Sequence, residues 1–149
     1  MKNYTIKSIC QICREVSAIF KKLNENLKNA LTGLEEFSHA CILWWFNKTD
    51  TPENRKTTIF TPPFEAPELR VFASIAPFRA NPIGLSVVQI ESVDVQTGLL
   101  DIREIDALDE TPVLDIKPYM PNYLRVQSPG IPNWASSWPS WIPEEGIAP

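Results

Sequence analysis

Two residues of one proline-fixed loop, Arg79 and Asn81, have side chains well suited to hold a polar ligand. Pro77 and Pro82 enclose them and restrict the backbone, so both side chains leave a stiff turn. A guanidinium and an amide placed in this way can bind a carboxylate, a ribose or a phosphate. A structural role is also open, in which Asn81 caps its own turn and Arg79 pairs with an acid such as Asp115.

Asp106 and Asp109 lie three residues apart in a turn that follows a predicted strand. A carboxylate at such a junction can accept hydrogen bonds from the amino or hydroxyl groups of a ligand while the backbone beneath it stays fixed. Aspartates in turns also bond to their own backbone, which is a purely structural role. Asp106 is therefore a second candidate for chemistry, with the structural alternative open.

Three further polar residues are better explained by structure than by catalysis. Asp115 and Lys117 alternate on a short predicted strand, so their side chains face the same side and can form an ion pair. His39, the single histidine, is expected to be a half-buried strand residue with a hydrogen-bond partner. Tyr119 can either stack on a base or pack against the protein.

The three cysteines, Cys10, Cys13 and Cys41, raise the question of a metal site. With His39 they provide four possible ligands for tetrahedral zinc. Residues three apart on a strand point to opposite faces, however, so Cys10 and Cys13 could share a metal only at a turn. An odd number of cysteines without a secretory signal also favours reduced thiols. We therefore expect reduced cysteines and no metal.

The composition is that of one soluble globular domain, with 149 residues, 44% hydrophobic and 21% charged. The longest apolar run, 40–46, is far shorter than the ~20 residues that a membrane span needs. No basic leader with an apolar stretch and a cleavage site opens the chain. These features predict a single cytoplasmic domain over residues 1–149 that does not enter a membrane.

The net charge of −4 is unfavourable for binding nucleic acid, because phosphate contacts require lysine and arginine. A local patch could still serve, since five basic residues lie near the candidate segments: Arg55, Lys56, Arg70, Arg79 and Lys117. Solvated surface charge explains each of them at least as well.

Hydrophobic periodicity and proline spacing predict a mainly β domain. All 14 prolines follow residue 51, so the rest of the chain consists of strands and proline-fixed loops. Apolar runs predict strands at 4–13, 15–20, 40–46, 69–75, 83–95, 99–105 and 112–116, with 40–46 buried on both faces. Leucines on one helical face predict a helix over Leu23–Thr32, ended by Gly33. A turn at Gln96–Gly98 is expected to join two strands as a hairpin.

Many short strands and one helix in the N-terminal half predict a barrel-like antiparallel or mixed sheet. The sequence contains no Gly-x-Gly loop between a strand and a helix. The commonest sequence mark of a Rossmann-type cofactor site is therefore missing.

Three sequence blocks occur in a specific order: Gly33–His39, Phe78–Ser86 and Asp109–Tyr119. The second contains Phe-Arg-Ala-Asn-Pro-Ile-Gly, and the third contains Thr-Pro-Val-Leu-Asp-Ile-Lys-Pro-Tyr. In these blocks, over residues 31–121, the chain resembles the TsaA-like (TrmO) family of S-adenosylmethionine-dependent tRNA methyltransferases.

The resemblance implies a β-barrel that binds S-adenosylmethionine and methylates threonylcarbamoyl-adenosine beside the anticodon of a tRNA. It implies a methyl-donor pocket between the loop 79–85 and the turn at 105–106, where Leu85 would cover the adenine. The residues expected to contact the cofactor are Asn47, Lys48, Leu85, Arg103, Glu104, Ile105 and Asp106. Those expected to act in catalysis are Asp106, Arg79 and Asn81.

The chain departs from the family pattern at several of its cofactor-binding positions. The early Pro-Arg-Gln segment is missing near Arg14, Phe46-Asn47-Lys48 stands where Phe-His is common, and Ile75 replaces an arginine. These departures favour an alternative function, a non-catalytic ligand-binding or interaction module with a degenerate cofactor site.

The C-terminal segment 122–149 is rich in proline and tryptophan. Three large aromatic residues, Trp134, Trp138 and Trp141, argue against disorder there. We expect them to dock onto the barrel or onto a second subunit. Because dimers are usual in the family that the chain resembles, a homodimer is expected.

Overall fold

The computed structural model describes residues 4–14, 18–20 and 23–143, with only the backbone of 18–20. Its strands are β1 (Cys10–Arg14), β2 (Ala18–Phe20), β3 (His39–Trp45), β4 (Ile59–Phe60), β5 (Leu69–Arg70), β6 (Ile83–Asp94), β7 (Leu99–Ile102) and β8 (Pro112–Pro118). One short α-helix, α1, spans Pro121–Leu124. The 3-10 helices span Lys28–Leu31, Leu34–Glu36, Asn54–Lys56, Val71–Ala73 and Asn133–Ala135.

Six strands form a closed barrel in the order β1-β2-β7-β6-β3-β8. Every neighbouring pair is antiparallel, including the pair of β1 with β8 that closes the ring. Closure removes the exposed sheet edges that favour aggregation. The prediction of a mainly β, barrel-like fold is confirmed, with an antiparallel rather than a mixed sheet.

The barrel interior is filled by the inward-facing residues of each strand. Ile12, Ile42, Leu100, Ile102 and Val113 are completely shielded from solvent. Burial of each such side chain contributes roughly 1.5–3 kcal/mol to the hydrophobic stabilisation of the fold. The central strand β3 has buried residues on both faces, as predicted from its continuous apolar run.

The predicted helix over Leu23–Thr32 is wrong. That stretch forms turns and a 3-10 helix at Lys28–Leu31. Three asparagines lie in it, and asparagine competes with helical hydrogen bonds through its own side chain. Leu23 and Leu31 are nevertheless buried, because their spacing allows them to pack onto the barrel without a regular helix.

Several predicted strands are shorter than expected. Residues 4–9 lie outside β1, and 15–17 fall outside the described residues. The strand predicted at 69–75 is limited to β5, after which Val71–Ala73 turns as a 3-10 helix closed by a hydrogen bond from the Ser74 hydroxyl to the Val71 carbonyl. β7 ends at Ile102, three residues early, whereas β8 continues to Pro118.

The hairpin between β6 and β7 is confirmed. Gly98 has a φ of 74°, a conformation that L-residues with side chains adopt at a cost. The Asp94 carboxylate accepts hydrogen bonds from the backbone N–H groups of Gln96 and Thr97 at 2.9 and 3.1 Å. No helix of the described residues is long and apolar enough to cross a membrane.

Candidate active site

The strand register gathers the candidate segments at one end of the barrel. β3 ends where β6 begins, because Trp45 pairs with Ile83. The start of β8 lies beside the same end of β3, with Val113 opposite Trp44. In an antiparallel barrel, neighbouring strands run in opposite directions, so strand ends and strand starts alternate around each rim.

The ends of β1 and β7 reach the same rim. Gln11 of β1 pairs with Pro112 of β8, so β1 continues past the start of β8 to Arg14. Beyond β7, the N–H of Arg103 donates to the carbonyl of Gln89 at 3.1 Å, and the carbonyls of Ile105 and Ala107 then accept hydrogen bonds from Arg14 at the end of β1. The end is called the Asp106 rim here and comprises Arg14, Asn47, Lys48, the loop 79–85 and the segment 103–106.

The first half of β6 is paired on one side only. Residues 83–89 pair with β3, whereas the ladder to β7 covers 90–94. Among the described residues, no backbone hydrogen bond joins β6 before Gln89 to the segment after Arg103. The edge of β6 that faces away from β3 is therefore open over residues 83–88, which include Leu85, and this open edge is called the seam here. Backbone groups along such an edge require water or a ligand as partner.

The carboxylate of Asp106 is open to a ligand. Its side chain is exposed, and no described residue forms a hydrogen bond with its carboxylate. Asp109 differs, because its carboxylate accepts the backbone N–H of Arg14 at 3.0 Å. The structural alternative, in which each aspartate bonds to the backbone of its own turn, therefore fits neither Asp106 nor Asp109.

The three residues before Asp106 differ in their exposure and in their contacts. The Arg103 guanidinium forms an exposed ion pair with Glu91 at 3.0 Å. Glu104 is half-buried, and Ile105 is buried in the core at 2% exposure. The side chain of Ile105 is thus closed to a ligand, and its carbonyl already accepts Nη2 of Arg14.

The loop 79–85 is fastened to its own preceding residues. Arg79 Nη1 donates to the carbonyls of Ser74 and Ala76 at 3.1 and 3.4 Å, rather than to Asp115. The Asn81 side chain is exposed, while its carbonyl accepts the N–H of Ile83 at 2.8 Å. The guanidinium therefore stiffens the loop that presents the amide of Asn81.

The close neighbour of Gly84 is a tryptophan of the barrel. A Cβ on Gly84 would lie 2.3 Å from Cε2 of Trp44, so only glycine fits there. Trp44 Nε1 also donates to Ser86 Oγ at 3.0 Å. Packing against Trp44 therefore explains the glycine at this position. Leu85, next in the strand, is 64% exposed and faces away from the core.

Asn47 and Lys48 lie at the start of the loop after β3, and both are exposed. The N–H of Phe46 donates to the carbonyl of Pro82 at 2.8 Å, which joins this loop to the loop 79–85. The structure thus brings two of the predicted segments together by a backbone hydrogen bond.

A hydrogen-bonded clamp holds the loop that carries Asn47 and Lys48. Asp50 accepts Nε1 of Trp45 at 2.9 Å and pairs with two nitrogens of Arg55 at 2.5 and 2.8 Å. The hydrogen bonds from Arg55, and then from Trp45, lower the pKa of Asp50 to about 2. The clamp is therefore charged at neutral pH.

Arg14 is a residue of the rim that sequence reasoning missed. Its Nε donates to the carbonyl of Ala107 at 2.8 Å, and its Nη2 donates to the carbonyl of Ile105. These partners lie 93 and 91 residues away along the chain. No local sequence signal reports a contact of that kind.

The other polar candidates lie away from the rim. Asp115 and Lys117 form an exposed ion pair at 2.6 Å, as expected, which raises the pKa of Lys117. His39 begins β3 at the opposite end, with Nδ1 2.9 Å from Ser38 Oγ and its ring 6.4 Å from that of Tyr119. His39 is half-buried and hydrogen-bonded, which agrees with the structural interpretation.

The cysteines are held apart by the barrel. Cys10 lies on β1 and Cys41 on β3, and burial raises the pKa of Cys10 to about 12. Within 4–14, 18–20 and 23–143, no group of three or more His, Cys, Asp or Glu residues could hold a metal ion. A reduced, metal-free state stays a prediction, which metal analysis of the purified protein can test.

Comparison with known proteins identifies the fold and the family. The family model of the tRNA-methyltransferase O N-terminal domain matches residues 10–123. The crystal structure of TrmO from Pseudomonas aeruginosa superposes with a TM-score of 0.68 and 29% identity, over 87% of this chain and 61% of that one.

Two curated relatives show how much of a longer protein the chain matches. A mouse tRNA (adenine(37)-N6)-methyltransferase is 37% identical over 126 residues, which is 85% of this chain but 28% of that protein. An S-adenosyl-L-methionine-binding protein of Archaeoglobus fulgidus is 38% identical over 117 residues, 75% of this chain and 77% of its own length. The chain thus spans less than a third of the mammalian relative. With a closed barrel, a matching family model and these relatives, the chain belongs to the family of the tRNA-methyltransferase O N-terminal domain.

Proposed function

We propose that this chain binds S-adenosylmethionine at the Asp106 rim and methylates an adenine of tRNA. The observation that carries the proposal is the exposed Asp106 carboxylate at the rim, with which no described residue forms a hydrogen bond. The names of the relatives support it, since they include tRNA (adenine(37)-N6)-methyltransferases and S-adenosyl-L-methionine-binding proteins. The finer proposal is that the adenine carries a threonylcarbamoyl group.

The residues of the rim fit the chemistry of this methyl donor. Asp106 can accept hydrogen bonds from ribose hydroxyls or from an amino group, and Leu85 offers an exposed apolar surface for a base. The bound donor supplies an electrophilic methyl group on a sulfonium. The backbone groups of the seam can bind polar atoms with little reorganisation, because the flanking strands are held in the barrel.

Three side chains are proposed to act on the acceptor. Asn81 offers an exposed amide that can orient a base, and Arg79 keeps the loop of Asn81 in place. Asp106 can also take a proton from the attacking nitrogen, which is the role of a general base. Alignment of the reacting groups then contributes the larger part of the rate.

A pair of substitutions separates the two roles of Asp106. Asp106→Ala removes the acceptor and should weaken the binding of S-adenosylhomocysteine by roughly 1.5–3 kcal/mol, the scale of a hydrogen bond to a charged group. Asp106→Asn keeps an oxygen acceptor but cannot take a proton at neutral pH. It should retain most of the affinity and lose turnover if Asp106 is the base.

Calorimetric titration of the wild type with S-adenosylmethionine or its demethylated product tests the site. Binding that Asp106→Ala weakens, with unchanged folding, is the expected result. Absence of binding at millimolar ligand would refute the catalytic proposal, and equal binding by both proteins would move the pocket away from Asp106.

The acceptor is proposed to be tRNA, although the chain alone is acidic. Lys48 and Lys56 follow β3 on one exposed loop and provide local positive charge near the rim, whereas the charge of Arg55 is balanced by Asp50. Electrostatic binding of RNA should weaken as salt rises, with a slope that reports the number of phosphate contacts. Binding titrations at several salt concentrations, with an unmodified and a threonylcarbamoyl-modified anticodon stem, would test both the partner and the finer substrate.

A homodimer is proposed on three exposed apolar side chains. Phe72, Ile75 and Leu108 are 87%, 90% and 61% exposed. A second subunit that covered such side chains would remove apolar surface from water. Light scattering at micromolar concentration should give the mass of a dimer, and a monomer mass would contradict the proposal.

The second candidate is a binding module without catalysis. Ile75 favours it, because an exposed apolar side chain stands at a position where the family pattern has arginine. Such a module would bind the donor or its product and transfer no methyl group. A radiolabelled methyl transfer assay with tRNA distinguishes the two candidates.

A further inference from the structure

We propose that Arg14 is a positioning residue that holds Asp106 at the rim by bridging the backbone on both sides of it. This inference rests on the proposed function, since it assigns a role within the same site. Arg14 is directed at protein carbonyls and acts through the segment that carries Asp106.

Arg14 makes three hydrogen bonds to one short segment. Its Nε donates to the carbonyl of Ala107 at 2.8 Å, and its Nη2 donates to the carbonyl of Ile105. Its backbone N–H donates to Oδ1 of Asp109 at 3.0 Å. The two carbonyls belong to the residues directly before and after Asp106, so the guanidinium spans the residue that bears the carboxylate.

The segment around Asp106 needs such a partner because it belongs to no strand. β7 ends at Ile102, and β8 starts at Pro112. Ile105 and Ala107 are 2% and 6% exposed, so their side chains enter the core and direct Asp106 outward. Carbonyls near the core without a ladder partner require another donor, and Arg14 supplies two.

The geometry of arginine suits this task. A guanidinium presents several N–H groups in one rigid plane, so it can bond to two carbonyls two residues apart at the same time. A lysine ammonium is a point charge on a flexible stem and would hold the segment less firmly. The other side of the segment is tied to β1 as well, because the N–H of Glu110 donates to the carbonyl of Ile12 at 2.9 Å.

The test combines ligand affinity with a double-mutant cycle. Arg14→Gln should weaken the binding of S-adenosylhomocysteine about tenfold, the scale of one lost hydrogen bond from a charged donor. Arg14→Lys should lie between that variant and the wild type. In the double variant with Asp106→Ala, affinity should equal that of Asp106→Ala alone, because both changes remove the same contact.

Two measurements separate positioning from general stability. Arg125→Gln removes an exposed arginine that lies over the ring of Trp141, at 4.4 Å from its centre, and serves as the matched control with unchanged affinity. Amide hydrogen exchange should be faster in residues 105–110 of Arg14→Gln, while the barrel strands keep their protection. A KM for the donor that rises without a change in the KM for tRNA is expected.

The outcomes are distinct. Unchanged affinity in Arg14→Gln, or effects that add in the double variant, would overturn the positioning role. If Arg14→Gln fails to fold, Arg14→Lys provides the same comparison in a folded protein. If the wild type binds no S-adenosylhomocysteine, the proposed function fails, and unchanged exchange at 105–110 would show separately that Arg14 does not hold the segment.

Discussion

The two ends of the barrel are built from the same strands but are held by different forces. At the Asp106 rim, carbonyls and carboxylates are fixed by arginines, as in the bonds of Arg14 and Arg79. The opposite end carries an apolar groove of about 470 Å³, lined by residues such as Leu27, Leu31 and Phe37. Hydrogen bonds fix direction, whereas apolar contact fixes only proximity. We therefore expect changes at the rim to affect binding, and changes at the groove to affect stability.

The largest expected effect on stability lies at the groove. Leu31→Ala removes a side chain that is 2% exposed, and it should lower the free energy of unfolding by about 2–5 kcal/mol. Donor affinity per folded molecule should stay at the wild-type value. Urea unfolding measures the stability, and calorimetric titration measures the donor affinity. A loss of both in Leu31→Ala would contradict the assignment of stability to the groove and of binding to the rim.

Gly84 provides a sharper test, because it lies at the rim but contacts the core. Gly84→Ala places a Cβ 2.3 Å from the ring of Trp44 and should destabilise the protein by about 1–3 kcal/mol through overpacking. Combining it with Trp44→Phe, which replaces the indole by a smaller ring, should recover part of the loss. Additive effects of the two substitutions in urea unfolding would mean that the indole ring is not the cause.

A smaller, pH-dependent effect is expected from the Asp50 clamp. The folded pKa of Asp50 is lowered from 3.8 to about 2, so its stabilising contribution is complete above pH 4 and is lost as the pH falls through 2. Asp50→Asn should therefore reduce the difference in stability between pH 5 and pH 2. Thermal unfolding across that range would measure it, and identical pH profiles for both proteins would contradict the clamp.

The smallest effect is expected from the exposed pair of Asp115 and Lys117. Lys117→Met should leave the free energy of unfolding almost unchanged, because water and salt screen such exposed pairs. Unfolding at low and at high salt is the measurement. A larger loss would indicate that Lys117 has a function that the ion pair does not explain.

The parts of the fold that sequence patterns predicted are those set by neighbouring residues. β3 and β6 were predicted to within a residue at each end, because a continuous apolar run and a long alternating run are local signals. The helix over Leu23–Thr32 failed, because its leucines are spaced for a helix while its asparagines favour turns.

The candidate site was less accessible to sequence reasoning. The roles of Asn47, Leu85 and Asp106 stay predictions that rest on the family pattern. Arg14 gave no signal at all, because its partners lie more than 90 residues away and become neighbours only when β1 closes the barrel. Contacts made by closure cannot be inferred from the spacing of residues along one strand.

The seam beside β6 has a consequence for how recognition can persist while sequences diverge. Its open N–H and C=O groups belong to the main chain, so they are the same whatever side chains occupy the strand. A ligand that binds these main-chain groups is recognised independently of the side chains. Point substitutions therefore leave this recognition intact, except where proline removes an N–H group. Proteins that are 37 to 41% identical to this chain over the aligned residues can therefore keep one recognition surface with different side chains around it.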